Sequence, residues 1–180
     1  RELHLEVVNI LATFGPEAAQ FFTNYLDDSE YALETRQLAY RALAQTGNRT
    51  SNVIATLARQ TNSTNLADRV FAASAYAKLD SGSAERAVNV LTEVLLNRLT
   101  ASSNERLWAA NYLVGIGPEA TNAITALEQA ADDPDPYVRS MAIKSLRIIR
   151  KRCFEELRGH NKNGPANGSQ PIRSETNTTS

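Results

Sequence analysis

The chain has 180 residues, 42% of them hydrophobic and 22% charged, with a formal net charge of −1. That composition can bury a helical core, and it argues against a domain built to grip phosphate backbones, which calls for a clear excess of Lys and Arg. No stretch approaches the ~18–20 continuous apolar residues of a membrane span, and the lone Cys153 permits no internal disulfide, which leans toward a reducing, cytoplasmic setting.

The chain opens Arg-Glu-Leu-His, without an initiator methionine or signal peptide, and reads as an excerpt or a processed product. Leu3, Leu5, Val7, Val8, Ile10, Leu11 and Phe14 occupy more than one face of a first helix, and Phe21, Phe22, Tyr25 and Leu26 thicken the next. Terminal units of a stacked array normally carry a polar outer face. An apolar one points to further repeats upstream or to self-association.

From there a register takes over. Arg36, Arg69, Arg106 and Arg139 recur at steps of 33, 37 and 33 residues. Each stands three residues before an alanine (Ala39, Ala72, Ala109, Ala142) and seven before a large apolar anchor (Leu43, Tyr76, Leu113, Leu146). Leu38, Phe71, Trp108 and Met141 fill a further apolar column, and Leu11, with Val7, His4 and Gly15, makes a weaker first copy. Such a period marks stacked supersecondary units, and the offsets share one side of a helix rather than a strand. The alanine column lets neighbouring helices approach closely.

Each copy contains a second helix, predicted at 19–26, 52–59, 84–98 and 123–131. Gly15-Pro16-Glu17-Ala18 and Gly117-Pro118-Glu119-Ala120 precede two of them. A glycine that tolerates the left-handed region, a proline in the first turn and a glutamate at the positive end of the dipole make a stop followed by a start. Polar loops are expected at 61–64, 80–82 and 132–136, and a long last helix at 137–157. The units are therefore 1–28, 29–60, 63–98, 100–133 and a terminal helix at 136–157, followed by a polar tail at 158–180 predicted to be disordered.

The run Leu113-Val-Gly-Ile-Gly-Pro-Glu-Ala120, an apolar helix, then Asp132-Asp-Pro-Asp-Pro-Tyr-Val-Arg139 with Ala142, resembles a HEAT repeat, most closely the short HEAT-like repeats named after phycobilisome lyases. The resemblance spans about residues 2–150. It implies an all-α, right-handed α-solenoid of four to five helical hairpins. It also implies an aspartate six residues before each column arginine, making a ladder between repeats. Asp133 matches and Glu30 substitutes, whereas Ser63 and Thr100 depart from the pattern.

The residues offer no catalytic constellation. His4 and His160 lie far apart, Cys153 lacks a histidine partner, and no metal or cofactor is implied. Asp132, Asp133 and Asp135 lack an EF-hand's glycine and distal glutamate and read as turn and capping chemistry. Trp108 reads as core, the arginine column as ion pairing between repeats, and Arg147, Arg150, Lys151 and Arg152 as a solvated helix face. Asn48, Asn62, Asn167 and Asn177 open Asn-x-Ser/Thr triplets that loops produce by chance.

The function expected on these grounds is a non-enzymatic scaffold with a protein or peptide partner, not a nucleic acid, and no membrane span. The resemblance places its ligand on a concave face formed by second helices, through Gln20, Thr23, Asp27, Asn89, Thr92, Glu93, Thr121, Asn122, Thr125 and Gln129. The alternatives are an enzyme-associated HEAT subunit, as among bilin lyases, and a nucleic-acid-binding HEAT-like protein of the alkylpurine DNA glycosylase kind. Four lysines in the whole chain argue against the latter.

Overall fold

A computed structural model describes residues 16–27 and 31–162. Among them stand eight α-helices and no strand: α1 (Pro16–Asp27), α2 (Leu33–Thr46), α3 (Ser51–Gln60), α4 (Leu66–Leu79), α5 (Ala84–Leu96), α6 (Ser103–Leu113), α7 (Ile124–Ala130) and α8 (Pro136–Lys162). Residues 1–15 of the unit expected at 1–28, Glu30 of the expected ladder, and residues 163–180 of the tail expected at 158–180 lie outside the described residues.

The fold is an all-α solenoid of two layers. Helices α2, α4, α6 and α8 stack side by side as a first layer, while in the second α1 packs on α3 and α5 on α7. The alanine column explains the close stacking: Ala39, Ala72, Ala109 and Ala142 are each no more than 2% exposed. Leu43 and Leu113 anchor their hairpins fully buried, whereas Tyr76 and Leu146 are half-buried.

Local chemistry sets the boundaries. The Asn65 side chain accepts from the backbone N–H groups of Ala67 and Asp68 at the start of α4. Ser102 and Glu105 form a reciprocal capping box on α6, and Asp135 accepts from Tyr137 and Val138 at the start of α8. Gly47 ends α2 at φ 63°, the left-handed conformation that favours glycine. Gly117 takes φ 108°, ψ −150°, and hands over to Pro118, so this second helix begins as a 3-10 segment, Pro118–Ala123, before α7. A second 3-10 turn, Ser81–Ser83, occupies an expected loop. Helix α8 runs five residues beyond its expected end at 157, reaching Lys162, with a Lys151–Glu155 pair (3.8 Å) one turn apart along it.

Two buried clusters fill the interlayer space. The amino-terminal one joins α1 to α4 through residues such as Phe22, Leu43, Leu57 and Phe71; the carboxy-terminal one joins α4 to α8 through Val70, Leu91, Leu95, Leu113 and Leu127. Trp108 and Tyr112 pack against both.

Candidate functional site

The arginine column is the first place where charge enters this interior. Arg36 Nε donates to both carboxylate oxygens of Asp68 (3.0 and 3.2 Å), and its Nη1 donates to the Tyr31 carbonyl. Arg106 repeats the arrangement on Asp133, with Nε at 3.0 Å and Nη2 at 2.9 Å, while Nη1 reaches the Ala101 carbonyl at 2.6 Å. Both arginines and both aspartates are buried. The Arg36–Asp68 pair spans two repeats, the Arg106–Asp133 pair runs from its helix to the turn that closes its own unit, and each arginine also satisfies a carbonyl five residues before it.

The other two members of the column behave differently. Arg69 has no carboxylate from the following repeat: it donates to Glu93 on α5 at 2.6 Å and leaves Nε buried without a partner. Arg139 donates to the carbonyls of Asp133 and Pro134. The expected ladder is therefore interrupted. One rung uses the foreseen aspartate, Asp133, and the other uses Asp68, which the six-residue spacing did not single out.

Burial alone would raise the Asp133 carboxyl, but Arg106, the Asp135 N–H and Arg98 outweigh it and hold it below the usual carboxylate range. Asp135 is held low chiefly by the Ser103 side chain. Tyr40 lies under the Arg36–Asp68 pair; burial, and then the Asp68 carboxylate, push its phenol well above the ordinary range.

The second-layer residues expected to carry the ligand fall on α1, α5, the 3-10 segment and α7. Gln20, Asn89, Glu93, Asn122, Thr125 and Gln129 are exposed. Thr23 is not: it is 1% exposed, and its hydroxyl donates back to the Gln20 carbonyl. The Thr92 hydroxyl is buried too, and that of Thr121 turns onto Pro118. Of Asp27 only the helical backbone is described. Several of the others serve the stack. Gln20 accepts from Asn52 of the next repeat, Glu93 from Arg69, and the Gln129 carbonyl from Arg98.

The basic cluster on α8 is also occupied, since Arg150 meets Glu128 and Arg152 the Val114 carbonyl. Trp108 packs on Phe71 at 5.0 Å between ring centroids, a core position as expected. At the amino-terminal edge Phe21, Tyr25 and Tyr31 form a partly exposed aromatic row, with centroids 4.7 and 4.4 Å apart. Among the described residues no three His, Cys, Asp or Glu side chains converge as metal ligands would, and no helix is long and apolar enough to cross a membrane.

A concavity lies elsewhere, on the outer side of the first layer. A groove of about 810 Å³ runs across α2, α4 and α6. Tyr40, Phe71 and Tyr112 supply aromatic surface, Leu38, Ala44 and Ala75 aliphatic surface, and Arg41 and Lys78 charge. Measured from the column arginines, Leu38 and Phe71 share one offset, Arg41 and Ser74 a second, Ala75 and Tyr112 a third, and Gln45 and Lys78 a fourth, so the groove follows the repeat register along the first layer.

Residues 88–157 match the family model of HEAT repeats. Among solved structures the chain is similar to human deoxyhypusine hydroxylase, in a structure with glycerol, at 25% identity and a TM-score of 0.52. The similarity covers 74% of this chain and 43% of that one, so the chain spans less than half of that enzyme's length. No curated protein matches the chain. The similarity corrects the expectation of a non-enzymatic interaction scaffold, because the related helical frame is that of an enzyme. The physical reason for the misreading is plain: alanine columns and ion-pair rungs build the stack, and they are the same whether the stack supports chemistry or adhesion.

Proposed function

We propose that this HEAT-repeat chain is an enzyme-associated protein, a helical frame that works in or beside an enzyme and contributes no catalytic group of its own. The observation that carries this reading is the similarity to deoxyhypusine hydroxylase along 74% of the chain. The partner it implies is the polypeptide that supplies the catalytic groups. The frame-only part of the proposal draws on acids that do structural work, such as Asp133 on Arg106 and Asp135 at the start of α8.

The test is hydroxylation of a deoxyhypusine-bearing protein in an extract of the source cells, followed by mass spectrometry. Depleting the chain should lower oxygen incorporation, and adding the purified chain back should restore it. An unchanged extract after depletion sinks the hydroxylase-type association. Turnover by the purified chain alone would instead overturn the frame-only part.

A further inference from the structure

The groove on the first layer has a composition that the stack does not require. Phe71 and Tyr40 form a deep aromatic floor, 3% and 2% exposed, flanked by Leu38, Ala44 and Ala75 and by the half-buried Tyr112 ring. Phe71 stands 6.2 Å from Tyr40 and 6.1 Å from Tyr112 between centroids, the latter edge-on at 80°, so the three rings meet at the bottom of the groove. Gln37 and Gln45 line it with amides.

The charges are the informative part. Arg41 and Lys78, on neighbouring helices, are exposed at the groove and form no ion pair or hydrogen bond among the described residues. Seven arginines, at positions 36, 86, 98, 106, 139, 150 and 152, are engaged by carboxylates or carbonyls, while Arg49 and Arg147 also stand exposed; what sets Arg41 and Lys78 apart is that both line one groove. Glu34 is the single carboxylate lining the groove, against these two cations.

We propose that this groove binds a small organic anion: an apolar body against the Tyr112 ring and the Leu38, Ala44 and Ala75 wall, with a carboxylate or phosphate reaching Arg41 and Lys78. The volume lies within the range of small-molecule sites, which are mostly apolar with a few polar groups that fix orientation. Aromatic floor and cation rim divide the work, the first giving affinity by burial and the second selecting charge. The site does not depend on the enzyme-associated reading, and either can fail alone.

The experiment is a titration of the isotopically labelled full chain with 2-naphthoate, followed by amide NMR shifts, beside its neutral isostere 2-naphthalenemethanol. Saturable shifts should concentrate at Gln37, Arg41, Ser74 and Lys78, with the alcohol binding more weakly. The double variant Arg41→Gln/Lys78→Gln should keep its helical circular dichroism and bind 2-naphthoate about three- to tenfold more weakly, as for two partly screened ion pairs. Lys151→Gln, on the opposite end of the stack, should leave binding unchanged. Equal affinity for acid and alcohol, an unaffected double variant, shifts scattered over the surface, or no binding would each overturn the proposal.

Discussion

The junction made by Arg106 and the junction made by Arg69 occupy the same register, yet they are held in opposite ways. Arg106 grips a buried aspartate through two nitrogens, while Arg69 keeps one nitrogen unpartnered and turns to an exposed glutamate on its own hairpin. The arginine is identical in both, so the acid available at the junction decides. For Arg36 that acid is Asp68, immediately before the next column arginine. The equivalent of Asp68 one repeat later is Glu105, but its carboxylate accepts from the Ser102 N–H and closes the capping box. The equivalent of Asp133 is Thr100, which has no charge. A repeat thus fixes where a side chain stands, and its neighbours fix what it contributes.

The largest effect should come from breaking the strong junction. Asp133→Ala strands a buried guanidinium and should cost roughly 3–5 kcal/mol in chemical denaturation. Acid should act on the same rung. The folded Asp133 carboxyl titrates below an unfolded one, so its contribution is complete above the unfolded range, about pH 4, and is lost as pH falls through the lower folded value. Asp133→Asn should therefore flatten the acid limb of a stability–pH curve; an unchanged limb would place the acid sensitivity elsewhere. Next, Ala109→Leu should overpack the stack by about 1–3 kcal/mol, since Ala109 is 0% exposed. Smallest of all, Arg69→Met should change stability by no more than about 1 kcal/mol, because it removes one exposed pair and relieves one buried, unpartnered nitrogen. A loss as large as that of Asp133→Ala would erase the contrast between the two junctions.

The parts legible in sequence are those that recur. The alanine and arginine columns recur in four copies, so the two-layer stack and its close approach could be read from Ala39 to Ala142 without coordinates. Gly117 announced the break between two helices because only glycine takes its backbone angles at little cost. The pairing of the rungs was half legible. Asp133 stood at the expected spacing, whereas Asp68 reaches Arg36 across 32 residues from a position that the spacing rule skips. The groove was not legible, because Gln37, Arg41, Lys78 and Tyr112 come together only once the first-layer helices are side by side. Thr23 was misassigned for a related reason: a polar residue in a second helix reads as surface until its hydroxyl is seen turned onto its own backbone.

Trp108 is the chain's only tryptophan, and it touches the buried clusters of both halves. Its emission is therefore a built-in optical gauge of whether those halves separate before their helices melt. Should fluorescence and helicity change at the same denaturant concentration, the array unfolds as one cooperative body. If the tryptophan signal moves first, the seam between α4 and α6 is where the array divides into independently melting blocks.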